Sequence, residues 1–174
     1  EVVGTNGKSS TVRMAAAILH EHGQRTGAYL SPHLASFAER VRIDGEDVSG
    51  ARFGAAVGRA AAAAQKVDRT LPEGDVVTQF ELLTATALDC FAEAGVEVCV
   101  VEAGLGGRYD ATNVLDAEVA VLTNVGLEHT RWLGPTITDI ATEKLDVVRP
   151  GAKLVVGAGL DHEARAVADA VCAG

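Results

Sequence analysis

The first ten residues of this chain, Glu1-Val-Val-Gly-Thr-Asn-Gly-Lys-Ser-Ser10, have the types and spacing that chemistry on phosphate requires. An apolar pair enters Gly4, Thr5, Asn6 and Gly7, followed by Lys8 and two hydroxyls, Ser9 and Ser10, ahead of a helical pattern from Thr11. Glycines at 4 and 7 let successive backbone N–H groups converge on one anion. A helix after such a turn aims its unpaired N–H groups and positive dipole end at the same spot. Lys8 then reaches a terminal phosphate, and Ser9 or Ser10 offers a hydroxyl to the Mg²⁺ that accompanies a nucleotide. One position departs from the usual phosphate-loop pattern: Val2 stands where its first glycine belongs. The plainer alternative is a Gly/Asn turn with one solvated lysine.

Further chemistry-bearing residues follow apolar runs. Gly27 to Leu30 leads to Ser31-Pro32-His33, Val98 to Val101 to Glu102, and Val119 to Leu122 to Thr123 through His129. In an open parallel sheet, ligands gather where strands end at their carboxyl side. An acid directly after a buried strand, beside a phosphate loop, holds Mg²⁺ directly or through water. Glu102 is therefore the candidate metal ligand, with a solvated loop acid as the alternative. Taken alone, His129 reads as a structural histidine and Lys144 as an ordinary surface lysine. Gly104 to Arg108 looks like a dinucleotide fingerprint, but Tyr109 to Asn113 does not continue as a helix packed on the strand, so that reading is rejected.

The elements that must position these residues alternate. Helices are expected over 11–21, 49–65, 78–94, 135–144 and 162–173, with Ser49 as an N-cap. Strands are expected at 2–3, 27–30, 96–102, 119–123 and 154–156, and a hairpin-like excursion over 41–48 turns at Asp44-Gly45. Continuous Val/Leu strands separated by helices predict an α/β fold: a P-loop-type open, mainly parallel sheet with helices on both faces. No repeat and no linker is visible.

At 174 residues, 48% hydrophobic and 22% charged, the chain is of ordinary globular composition. A net charge of −9 argues against a nucleic-acid partner. No apolar run has membrane-spanning length, so no membrane partner is expected. Cys90, Cys99 and Cys172 are scattered, as in a reduced cytoplasmic protein. The chain opens on the strand of its phosphate loop without a Met and closes just after a helical pattern, so it reads as truncated.

Six blocks in order resemble the folylpolyglutamate synthase and dihydrofolate synthase family of the Mur ligase superfamily. They are Gly4-Thr-Asn-Gly-Lys8, Ser31-Pro-His-Leu34 with Phe37, Glu39 and Arg40, Phe80-Glu81 with Thr84, Glu102 through Asn113, Gly126-Leu-Glu-His129 with Leu133-Gly134, and Glu143-Lys144 with Pro150-Gly151. The resemblance implies the central ATP-binding domain over 1–174, with the N-terminal lead-in and C-terminal glutamate-binding domain absent and the piece alone inactive. It implies ATP and Mg²⁺, with Ser31, Glu102 and His129 joining Ser9 or Ser10 as metal ligands. Lys8, His129 and Lys144 would be catalytic, Lys144 being carbamylated in relatives. His33, Arg40, Phe80 and Glu81 would border a pteroate or folate substrate.

The implied reaction is ATP-dependent amide formation between that substrate's carboxylate and L-glutamate, by a monomer. Another Mur-type ligase, and a nucleotide-binding switch without ligase activity, are the alternatives. Four departures from the family pattern stand out: Ser9 for glycine, Glu128 for aspartate, Leu145-Asp146 for Ala-Gly, and Tyr109 for an apolar residue.

Overall fold

In the computed structural model, residues 1–173 are described, and they begin β1 (Val2–Val3), α1 (Lys8–Glu21), β2 (Thr26–Tyr29), β3 (Val41–Ile43), β4 (Glu46–Asp47), α2 (Gly50–Asp68) and α3 (Gln79–Ala94). Next come β5 (Val98–Val101), β6 (Val119–Leu122), α4 (Thr130–Leu133), α5 (Ile137–Leu145), β7 (Lys153–Val156) and α6 (His162–Ala173). Two compact units emerge, Glu1–Val12 with the residues from Val101 onward, and Arg13–Val100. The dividing points fall inside α1 and β5, so the change of unit needs no linker.

The first unit holds the sheet that the Val/Leu runs predicted. β1, β6 and β7 lie in that order, all parallel, with Val2 opposite Val121 and Val121 opposite Val155. Val3, Leu122, Ile140, Leu145 and Ala164 meet in one buried core with Val147 and Ala168. Each large aliphatic side chain buried there contributes roughly 1.5–3 kcal/mol. Because the strands are parallel, their carboxyl ends share one rim, and Gly4, Thr123 and Gly157 begin the segments leaving it.

The second unit has the order β4-β3-β2-β5, in which β2–β3 and β3–β4 are antiparallel. The antiparallel part is the excursion expected over 41–48. Its turn residues Asp44 and Gly45 take φ 50° and 83°, the left-handed pair that suits a two-residue hairpin. α3 buries Leu83, Ala87, Cys90 and Phe91. A Cβ at Gly27 would stand 2.7 Å from the Phe91 ring, so this strand admits only glycine there.

Helix starts differ in their electrostatics. Thr78 with Glu81 on α3, and Thr136 with Asp139 on α5, form reciprocal capping boxes, each putting an acid in the first turn. Ser49 caps α2 as predicted, accepting from Arg52 N–H at 3.2 Å. α1 has no acid in its first turn, and it starts at Lys8 rather than at Thr11. The sequence also did not show the 3₁₀ turns Phe37–Arg40 and Ala111–Val114, or the separate α4 ahead of α5. No helix among the described residues is long and apolar enough to cross a membrane.

Candidate functional site

The loop after β1 is clamped from the end of β6. Thr5 N–H donates to the Asn124 carbonyl at 3.0 Å, and Asn6 N–H to Asn124 Oδ1 at 2.8 Å. Thr123 Oγ1 donates to the Asn6 carbonyl at 2.7 Å, while Gly126 N–H donates to Thr5 Oγ1 at 3.0 Å. Gly4 sits at φ 145°, and a Cβ there would fall 1.9 Å from Thr123 Oγ1. Conformation and space both demand glycine at this point. Thr123 and Asn124 were visible in sequence only as polar residues after a strand, because their partners lie nearly 120 positions away.

Lys8, Ser9 and Ser10 occupy the first turn of α1, where helix N–H groups have no intrahelical acceptor. Lys8 Nζ folds over the loop, donating to the Gly4 carbonyl at 2.9 Å and the Thr5 carbonyl at 3.5 Å. Ser9 Oγ donates to Glu102 Oε1 at 2.9 Å, whereas Ser10 is exposed. Glu102 is only 3% exposed and pairs as a parallel bridge with Val2, which fixes it beside the loop. Of the two hydroxyls that the sequence left open, Ser9 is the one held against the strand-end acid.

Lys144 corrects the composition-based expectation of a surface lysine. It is 2% exposed, because Ile140, Ala141 and Leu145 carry the inward face of α5 into the core and Lys144 shares that face. Its Nζ donates to Glu128 Oε1 at 2.7 Å and to the Gly4 carbonyl at 3.1 Å. One carbonyl therefore receives two ammonium groups. Burial lowers the Lys144 pKa from its ordinary value, opposed by Glu128 and reinforced by the Lys8 charge. For Glu128, burial acts to raise the pKa, but the hydrogen bond and charge of Lys144, helped by Thr5 and Lys8, leave it below the ordinary carboxyl value. The Lys144 shift thus favours a neutral amine, while the Glu128 shift favours an ionised carboxylate. With both Lys144 hydrogen bonds made, the ionised pair is the form consistent with the geometry.

Arg108 lies 3.1 Å from both Glu143 and Asp146, so the Asp146 carboxylate is engaged there. Asp110, which sequence reasoning did not single out, orders the Gly104–Tyr109 loop. It accepts from Leu105 N–H at 2.7 Å, Thr112 N–H at 3.0 Å and Thr112 Oγ1 at 2.7 Å. The segment after that loop is the short 3₁₀ turn Ala111–Val114, in keeping with the rejected dinucleotide reading. His129 is exposed and takes φ 45° ahead of α4, with no side-chain capping bond, unlike a packed structural histidine.

The remaining candidates belong to the second unit. His33 Nδ1 accepts from Arg40 Nε at 3.0 Å, and the His33 and Phe37 rings lie 4.2 Å apart. Glu39 accepts from the N–H groups of Leu34, Ala35 and Ser36 at 2.6–3.0 Å, which folds the segment after Ser31 onto itself. Phe80 stands 6.1 Å from Tyr29, ring centre to ring centre. Glu81 accepts from both the N–H and the hydroxyl of Thr78 at 2.7 Å, so its carboxylate serves as the cap of α3.

No group of three or more His, Cys, Asp or Glu among the described residues forms a metal cage. Mg²⁺ does not need one: it keeps several waters and takes one or two protein oxygens plus phosphate. A hydroxyl and a carboxylate 2.9 Å apart, at the mouth of an anion-binding loop, fit that donor set.

A parallel α/β unit whose first strand feeds a glycine loop, a lysine and a helix start is of the P-loop, phosphate-binding class. The chain is 41% identical over 157 residues to a dihydrofolate synthase/folylpolyglutamate synthase of Escherichia coli, covering 90% of this chain and 35% of that protein. It is 45% identical over 157 residues to a probable bifunctional folylpolyglutamate synthase/dihydropteroate synthase of Haloferax volcanii, covering 90% of this chain and 18% of that one. The structure superposes on the Mycobacterium tuberculosis folylpolyglutamate synthase complexed with ADP and AMPPCP with a TM-score of 0.91 at 38% identity, over 99% of this chain and 40% of that one. No family model matches the chain. The chain is similar over about nine tenths of its own length to curated folylpolyglutamate and dihydrofolate synthases, and spans about a third or less of the length of these relatives.

Proposed function

We propose that this chain is the phosphate-handling core, the central domain, of an ATP-dependent ligase joining the carboxylate of a pteroate or folate to L-glutamate. The observation that carries the reading is the Ser9 Oγ to Glu102 Oε1 contact of 2.9 Å, in a loop that also presents Lys8. The substrate carboxylate oxygen attacks the γ-phosphorus of ATP, the bond from that phosphorus to the β–γ bridging oxygen breaks, and ADP leaves. The resulting acyl phosphate is attacked at carbon by the glutamate amine, which loses a proton as phosphate departs. Lys8 exchanges its carbonyl acceptors for the phosphates, and the N–H groups at the start of α1 hold them in line. Ser9 and Glu102 would hold Mg²⁺, with His129 as a further candidate ligand, and bound Mg²⁺ would neutralise charge on the phosphates. Lys144 braces Gly4 and thereby the loop. We place the pterin-bearing substrate near His33, Arg40 and Phe80, and the glutamate site in a further domain. A cytoplasmic monomer suits the scattered cysteines, which are all free.

The test is ADP release by the full-length protein with glutamate, against dihydropteroate and tetrahydrofolate separately. ADP formed only with an acceptor acid supports the ligase. Nucleotide turnover that ignores both acids refutes it.

A further inference from the structure

Thr26 opens β2 with its backbone fully engaged. Its N–H donates to Asp44 Oδ1 at 2.9 Å, and its carbonyl accepts from Asp44 N–H at 2.9 Å. The Thr26 hydroxyl has no partner among the described residues, although the residue is 1% exposed. Buried hydroxyls are normally bonded, so one left over asks what completes it.

Thr26 lines a pocket of about 150 Å³ that lies wholly within the second unit. Side chains two apart on a strand share a face, so Thr26 and Ala28 stand together. Arg42 is directly opposite Ala28 on β3 and joins them. The other wall comes from α1, where Arg13, Ala16 and Ala17 recur at helical spacing. The pocket is thus lined by the unsatisfied Thr26, two arginines and three alanines.

Of the two arginines, Arg42 has an acid partner among the described residues and Arg13 does not. Asp47 Oδ1 lies 2.8 Å from Arg42 Nε, but this nitrogen makes no hydrogen bond, so the contact is Coulombic only. Asp44 is occupied by Thr26 N–H and flanked by His20 at 3.5 Å and Arg25 at 3.8 Å. Arg13 has no ion pair or hydrogen bond among the described residues. Arg13 thus brings one unmatched positive charge to the recess, beside an Arg42 whose charge Asp47 balances, in a chain of net charge −9.

We propose that this pocket binds a small oxyanion, a carboxylate or phosphate group. Arg13 and Arg42 supply charge-assisted donors and the Thr26 hydroxyl supplies a further one. The site draws none of its lining residues from the phosphate loop.

The experiment is a ¹⁵N-resolved NMR titration of the full chain with sodium phosphate and, separately, sodium propionate, against sodium chloride at matched ionic strength. Saturable shifts at Thr26, Ala28 and Gly45 are expected with one of the two anions, and the one that binds identifies the class. Those shifts survive Lys8→Ala, which removes the competing affinity of the phosphate loop. Arg13→Gln, at an exposed position that leaves the fold intact, weakens binding roughly tenfold, and the near-isosteric Thr26→Val also weakens it. Shifts confined to Gly4–Ser10, or unsaturating shifts matching those of chloride, overturn the proposal. Equal affinity in Arg13→Gln and the parent does so as well.

Discussion

Removing one member of the Glu128–Lys144 pair should cost far more from one side than from the other. Glu128→Ala leaves the Lys144 ammonium, 2% exposed, with only the Gly4 carbonyl for company and with the Lys8 charge nearby. Stranding a buried charge costs about 3–5 kcal/mol. Lys144→Met instead removes the buried cation and fills its volume with an unbranched apolar chain. The Glu128 carboxylate, 21% exposed, keeps access to water and the hydrogen bond from Thr5. Its loss should be about 1–2 kcal/mol, that of a hydrogen bond whose partner can be resolvated. The double variant, with no charge to strand, should then be more stable than Glu128→Ala alone. Urea unfolding of the four proteins at pH 7, followed by circular dichroism, measures the cycle. If Glu128→Ala costs under about 1 kcal/mol, or if adding Lys144→Met deepens the loss, then Lys144 is not held as a buried ammonium and the account fails.

Three further outcomes follow from other contacts. Ser9→Ala should weaken Mg²⁺–AMPPCP binding about tenfold in calorimetric titration, with Ser10→Ala within about twofold of the parent, since only Ser9 touches Glu102. Asp110→Ala frees the N–H groups of Leu105 and Thr112, while the Thr112 hydroxyl keeps Glu1 Oε1 at 2.6 Å, and should lower unfolding stability by about 2 kcal/mol in urea. The Glu81 pKa is lowered by its two bonds from Thr78 against a smaller effect of burial, so its stabilisation is complete above the ordinary carboxyl value of about 4.3 and lost as pH falls through the lower folded value. Glu81→Gln should therefore flatten the acid limb of thermal stability, and a limb of unchanged slope would contradict the capping assignment.

Much of the first unit could be read directly because its signals are local. The phosphate loop and the strand-end acid each need only a few consecutive residues to be recognised, as does the Ser49 cap in the second unit. Glu102 could be placed at the sheet's rim because a strand fixes the direction in which its last residue leaves the sheet. Lys144 resisted the same treatment: nothing in its immediate neighbours says that α5 turns this residue inward, and its partners Gly4 and Glu128 come from distant segments. The start of α1 at Lys8 was hidden because glycine-rich turns and first helical turns share composition. Asp110 went unnoticed for a different reason. Its three donors lie within five positions of it, yet an acid in a Gly-rich stretch looks like any solvated turn residue until burial is known.

The contrast between helix starts has a thermodynamic consequence. Helices α3 and α5 each carry an acid at the positive end of their dipole, while α1 places a lysine there, against its own field. Such a charge is unfavourable by about 0.3–1 kcal/mol at a helix N-terminus. The folded chain without an anion therefore carries a standing electrostatic debt at one end of one helix, and any polyanion seated there relieves it. Melting temperature should accordingly climb with added pyrophosphate more steeply than with an equal ionic strength of chloride.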